Sequence, residues 1–178
     1  VINLAAMRLY YFPRTGKGEK PVVYTFPIGI GRVGWATPEG TTSVVRMARN
    51  PSWRPGPGVR AEHAENGEVL PAVVPPGPDN PLGSRALYLG WPSYLIHGTN
   101  KPAGVGLRSS HGCIRLFPED VELLFDLVKP GIKVTDRRHF TAAGERRSDV
   151  SEEPEAAVAP AAVAPDTARE SSASPPRL

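Results

Sequence analysis

Residues 94–100, Tyr94-Leu95-Ile96-His97-Gly98-Thr99-Asn100, and residues 109–116, Ser109-Ser110-His111-Gly112-Cys113-Ile114-Arg115-Leu116, hold two of the four histidines and the only cysteine of the chain. Each couples a short apolar run to a Gly-containing turn, the pattern of short strands meeting at a loop rather than of a long helix. The rest of the chain agrees. With 21 Pro and 18 Gly in 178 residues, the backbone is punctuated too often for a helical bundle or a coiled coil. Upstream, Ile2 and Leu4, then Met7, Leu9 and Tyr11, then Val23 and Thr25, and a run over residues 42–47 alternate as half-buried strands and predict a β-meander within residues 1–49.

Downstream, Pro118 suits a first helical turn and Glu119 and Asp120 complement its positive end. Val121, Leu124, Phe125 and Val128 line one face, and Lys129-Pro130-Gly131 stops the helix before a closing strand over residues 132–135. Residues 50–83 carry eight prolines together with Trp53 and His63, so no central strand fits there. An ordered loop of that length predicts a lid or binding surface, here a cap over the site. Beyond Phe140 no aromatic residue occurs, and residues 141–178, rich in Ala, Pro, Ser and Glu, are expected to form a disordered tail. The catalytic unit is expected to span residues 1–140.

Composition removes several functional classes. A 40% hydrophobic, 22% charged chain of this length can bury a core, and no apolar run approaches a membrane span. The net charge of +3 comes without a Lys/Arg cluster interleaved with aromatics, so no nucleic-acid partner is expected. With Cys113 alone, neither an internal disulfide nor a multi-cysteine zinc site can form. Val1 in place of Met leads to the expectation that an export signal lies upstream.

What remains for Cys113 is a buried apolar role, a reactive thiol, or one ligand of a mixed site. A thiol attacks as thiolate, so it needs a neighbouring imidazole or oriented amides, and His97, His111 and the turn at Gly112 supply candidates for both. A zinc site from His97, His111 and Cys113 is the weaker arrangement. His111 and Cys113 lie two apart across a glycine, no carboxylate follows to support the ligands, and Arg115 opposes a cation.

An upstream His followed by Ser110-His111-Gly112-Cys113 resembles the signature of the L,D-transpeptidases of bacterial peptidoglycan, the YkuD-type catalytic domain. Val1-Ile2-Asn3-Leu4, Met7-Arg8-Leu9-Tyr10, Pro27-Ile28-Gly29, Thr37-Pro38-Glu39-Gly40 and Pro75-Pro76-Gly77-Pro78-Asp79-Asn80-Pro81-Leu82-Gly83 support it. The likeness covers residues 1–135 and points in particular to the periplasmic enzymes of Gram-negative cells, including those that attach a lipoprotein to the wall.

The resemblance implies a mainly β, sandwich-like domain with one clear helix after the active-site loop. It implies Cys113 as nucleophile, His97 as base and acid, His111 as pocket-shaping, and amides around Gly112 and Cys113 as the oxyanion hole. Gly98 stands where many relatives have Ser, so a backbone carbonyl would orient His97. Arg115 replaces a common Asn and would bind a stem-peptide carboxylate. The implied partners are peptidoglycan stem peptides, a wall-anchored lipoprotein and carbapenem-type inhibitors, and no cofactor is needed. Two rivals stay open: an L,D-carboxypeptidase or hydrolase using the same site, and a wall-binding module without catalysis.

Overall fold

The computed structural model describes residues 1–138, so the expected tail lies outside the described residues. In chain order the elements are β1 (Ile2–Asn3), β2 (Arg8–Tyr11), β3 (Tyr24–Pro27), β4 (Ile30–Gly31), β5 (Gly40–Arg49), α1 (Pro57–Glu65), β6 (Arg85–Leu89), β7 (Leu95–His97), β8 (Arg108–Ser110), β9 (Ile114–Arg115), α2 (Pro118–Leu127) and β10 (Lys133–Arg137), with a 3-10 turn at Pro102–Gly104. Eight strands form one sheet in the order β3-β2-β1-β10-β5-β6-β7-β9, and β4 pairs with β8 in parallel.

The sheet curls because one stretch of chain serves both of its edges. β3 is one edge strand; two residues beyond it, Gly29 exchanges both backbone hydrogen bonds with Arg115 of the other edge strand, β9, each at 2.9 Å. The outer edge of β9 is thereby occupied at Arg115 and is not a free template for pairing. Inside the curl lie Ile2, Leu9, Phe26, Ile28, Val44, Leu87, Ile96, Ile114 and Leu116, all buried. Helix α2 begins at Pro118 and packs Val121 and Leu124 into this core, and Gly131, at φ +90°, turns the chain into β10.

This is the mainly β architecture that the sequence predicts, with two differences of detail. The meander extends only through β1–β2–β3. β10 enters between β1, which it pairs in parallel, and β5, which it pairs antiparallel, so β5 belongs to the other half of the sheet. A second helix, α1, lies in the Pro-rich segment, where no apolar stripe signals it: none of its residues is buried.

That segment is organised by one side chain. The prolines within it offer carbonyls but no N–H donors, and Asn80, fully buried, supplies the donors: its Nδ2 donates to Pro51 O at 2.8 Å and Pro75 O at 3.0 Å. Its Oδ1 accepts from the Leu82 amide at 2.9 Å, and Trp53 and Val74 exchange backbone bonds at 2.9 and 2.8 Å.

Asp136 of β10 is 1% exposed, and neither carboxylate oxygen has a hydrogen-bond partner among the described residues. Burial, and after it the charge of Glu39, raises its carboxyl to about 7, against smaller opposing effects of the Arg137 amide and the N-terminal ammonium. In the unfolded chain an Asp titrates near pH ~3.9. Between there and pH 7 the unfolded state releases this proton while the folded state keeps it, so stability falls with rising pH over that window and levels off above it. Asp136→Asn should therefore raise unfolding free energy by about 1–3 kcal/mol at pH 8 and by little at pH 4. Urea titrations of both proteins at the two pH values check this; an equal effect at both would show that the carboxyl is not held protonated.

Candidate active site

β9 has only two residues, yet its position is fixed from both sides. On one flank it pairs in parallel with β7, placing Ile96 beside Ile114 and His97 beside Arg115, and Leu116 N–H donates to His97 O at 2.9 Å. On the other flank stands Gly29. Side chains alternate along strands. Leu87, Ile96 and Ile114 form a buried row on the core side, and Ala86, His97 and Arg115 form a row on the opposite face. Cys113, two residues before Arg115, shares that face. It opens on a cavity of about 950 Å³ lined by His97, Ser110, His111, Cys113 and Arg115 on one side and by residues of the Pro-rich segment, among them Trp53, Pro57 and Leu82, on another.

The turn that delivers Cys113 is clamped by two hydroxyls. Thr37 Oγ1 donates to Gly112 O at 2.9 Å and accepts from Gly31 N at 3.1 Å. Ser110 Oγ donates to Cys113 O at 2.6 Å and accepts from Gly112 N at 3.2 Å. Gly112 has φ +98°, and a Cβ there would sit 2.9 Å from the Tyr94 ring, so both its conformation and its surroundings require glycine. Of the two amides named from sequence, that of Gly112 is engaged by Ser110, while that of Cys113 has no acceptor among the described residues.

His97 is 4% exposed, and its Nδ1 lies 2.6 Å from Gly98 O. A carbonyl only accepts, so Nδ1 carries the proton and Nε2 holds the lone pair. Gly98 itself has no room for a side chain, because a Cβ would stand 2.9 Å from Val121 Cγ1 and 3.3 Å from Leu82 O. Burial first, then the charge of Arg115, lowers the imidazole to about 4, against the bond to Gly98. His97 is thus neutral across the physiological range.

The Cys113 thiol donates to Ser93 O at 3.5 Å. Burial raises its pKa, outweighing the Leu95 amide and the Arg115 charge, which act to lower it. Arg115 meets no carboxylate within 4 Å among the described residues, and its Nε is buried without a partner. His111 sits at the rim, Nε2 3.2 Å from Glu62 of α1 and edge-on to Trp35 at 4.8 Å; burial is the main cause that lowers its pKa. All six residues singled out from sequence thus gather at one place. Thr37, Glu62 and Trp35 were not legible as site residues, since no motif joins them to the turn; the Thr37-Pro38-Glu39-Gly40 segment was the one signal, and it pointed to Thr37 only through the resemblance. No group of three His, Cys, Asp or Glu among the described residues is placed to hold a metal ion.

The fold and site together define a class: a curled β domain that carries a thiol, a neutral imidazole and an unpaired guanidinium on one cavity wall. Residues 1–135 match the family model of the L,D-transpeptidase catalytic domain, YkuD, and the chain belongs to that family. It is 53% identical over 135 residues to the probable L,D-transpeptidase YbiS of Escherichia coli K12 and 50% identical over 135 residues to the probable L,D-transpeptidase ErfK/SrfK of the same strain. In both comparisons 75% of this chain is covered but only 42% of the relative, so the chain spans less than half the length of these relatives. Two solved structures share the fold: an L,D-transpeptidase of Mycobacterium smegmatis (TM-score 0.51, 20% identity, covering 76% of this chain and 56% of that one) and one of Enterococcus faecium (TM-score 0.54, 19% identity, covering 76% and 48%).

A raised thiol on the same cavity wall as a neutral imidazole predicts how Cys113 reacts with a small alkylating agent. Its rate with iodoacetamide should keep climbing through pH 8 and beyond, past the ordinary thiol value near ~8.5. Intact-mass kinetics from pH 5 to 10 check this. A plateau reached below pH 7 would show a preformed thiolate–imidazolium pair instead.

Proposed function

We propose that this chain is the catalytic unit of a peptidoglycan L,D-transpeptidase that uses Cys113 as its nucleophile. The observation that carries the reading is the shared face of β7 and β9, where a neutral His97 with a free Nε2, the Cys113 thiol and the unpaired Arg115 line one cavity. Membership of the L,D-transpeptidase family supports this reading; the donor we assign is a tetrapeptide stem of the wall, cleaved between its third residue, meso-diaminopimelate, and the terminal D-Ala.

In the first half-reaction His97 Nε2 takes the thiol proton as the sulfur attacks the diaminopimelate carbonyl. Because both groups rest neutral, charge separates only when donor occupies the pocket, and the negative charge passes at once to the carbonyl oxygen. The Cys113 amide is the donor we assign to that oxygen. Collapse expels D-Ala, whose amine takes the proton back from His97, and leaves a thioester. In the second half-reaction an amine gives its proton to His97, attacks the thioester and releases the Cys113 sulfur, which takes that proton back from His97 and restores the resting thiol. A diaminopimelate amine gives a 3-3 cross-link, a lipoprotein lysine gives an anchored protein, and water gives the carboxypeptidase outcome. The Pro-rich segment, stapled by Asn80, serves as the cap that selects among them. No metal or organic group enters these steps, since the thioester conserves the energy of the bond broken. The reaction belongs to the periplasm, where the wall is, and the tail over residues 141–178 is dispensable for it.

Incubation with purified muropeptides, followed by mass spectrometry, identifies the product. Cys113→Ala should abolish both acyl-enzyme and product, as well as any adduct with a carbapenem, and His97→Gln should slow acylation by a factor on the order of 10². An adduct that persists in Cys113→Ala would exclude the nucleophile assignment.

Arg115 has the geometry to hold a carboxylate of the donor through two parallel bonds, which Lys cannot reproduce. Arg115→Lys, which keeps a positive charge near the thiol, should lower kcat/KM for the tetrapeptide about tenfold while leaving iodoacetamide alkylation of Cys113 within about twofold. Unchanged kcat/KM would remove the binding role.

A further inference from the structure

Helix α1 should not persist on its own terms. It has nine residues, a Pro-Gly start without a side-chain cap, no acidic residue in its first turn and no buried residue, and isolated helices of this length are marginal in water. What holds it is a single face. Gly58 and Glu62, four apart, lie one above the other. Gly58 abuts the indole of Trp35, where a Cβ would come within 2.7 Å of the ring, and the Glu62 carboxylate accepts from both Arg32 Nη2 and His111 Nε2. Trp35 and His111 are in turn packed edge to face, and His63, the next residue of α1, stacks obliquely 6.3 Å from His111. The helix therefore docks on the active-site loop, and its polar anchor is on a motif histidine.

We propose that Glu62 is a positioning residue for the reaction: it fixes His111 in its Nε2–H form and, through the same bond, holds α1 over the rim of the cavity. The inference rests on the reading of Cys113 chemistry given above. A carboxylate can only accept, so Nε2 must carry the proton and the neutral ring keeps its lone pair at Nδ1. His97 has the opposite arrangement, with Nδ1 donating to Gly98 O, so the two histidines are held in different tautomers by different partners. Arg32 belongs to the same device. Without Glu62, its guanidinium would stand uncompensated beside the imidazole, favouring neither the Nε2–H form nor the present ring orientation. The charged and titratable groups facing His111 are Glu62 and His63 from α1, Arg32 from the loop before Trp35, and Arg115 from β9.

Arg60 makes the docking measurable. It is the sole Lys or Arg between Arg54, whose following residue is Pro, and Arg85, so trypsin nicking after Arg60 reports release of α1. In Glu62→Ala we expect nicking to rise tenfold or more, and the 15N imidazole spectrum of His111 to change from one tautomer to a mixture. Acylation by the tetrapeptide should fall on the order of 10- to 100-fold, chiefly in kcat, as misplacement of a site group does. Glu62→Gln, which keeps an acceptor for Nε2–H but no charge for Arg32, should recover most of the protection and the tautomer. An unchanged His111 tautomer in Glu62→Ala overturns the proposal even where nicking rises, and so does wild-type acylation. If the parent protein itself is not acylated by the donor, the functional reading fails, while the nicking and the imidazole spectrum still judge Glu62.

Discussion

The site depends on how a two-residue strand is pinned. The backbone of Arg115 exchanges two hydrogen bonds with Gly29, and Leu116 binds His97 from the other side, so β9 cannot slide along either neighbour. A shift of one residue would send Cys113 and Arg115 to the core face and Ile114 to the cavity. The same contact closes the sheet, because Gly29 follows the strand at the opposite edge. Closure of the barrel-like curl and alignment of the chemistry are thus one set of bonds.

Around that register the polar groups are arranged so that charge is scarce. His97 is neutral because it is buried beside Arg115, and the Cys113 thiol is held up by burial although Arg115 and the Leu95 amide pull it down. Such a pair stores little electrostatic energy at rest and leaves the pocket open to an anionic ligand opposite the Arg115 guanidinium, which meets no carboxylate among the described residues. The clamp formed by Thr37 and Ser110 serves the same end, since it occupies the Gly112 carbonyl and amide and leaves the Cys113 amide without an acceptor among the described residues. Orientation comes from bonds made before substrate arrives.

The Pro-rich segment shows how a stretch poor in donors becomes ordered. Its prolines remove N–H groups, leaving carbonyls that one buried Asn80 gathers. From that staple the chain is led past the cavity, and α1 settles where Trp35, Arg32 and His111 receive it. The wall opposite Cys113 is therefore built from residues distant in sequence.

Sequence alone determined the elements whose signals are local. The start of α2 at Pro118, the face carrying Val121 and Leu124, and the apolar strand ending at His97 are readable because each depends on spacing within a few residues. The Ser110-His111-Gly112-Cys113 turn was legible for a related reason: a hydroxyl, a turn-forming glycine and a thiol stand in that order within four residues. Tertiary structure decided what is joined by pairing and docking. Nothing in residues 1–49 says that β10 enters between β1 and β5, since strand partners are chosen by burial across the whole sheet rather than by either strand. Helix α1 has no apolar stripe to announce it, and its ordering comes from contacts with Trp35 and His111. The opposite tautomers of His97 and His111 are likewise invisible in the chain, because a histidine's proton is placed by whichever acceptor the fold brings to it: the Gly98 carbonyl in one case, the Glu62 carboxylate in the other.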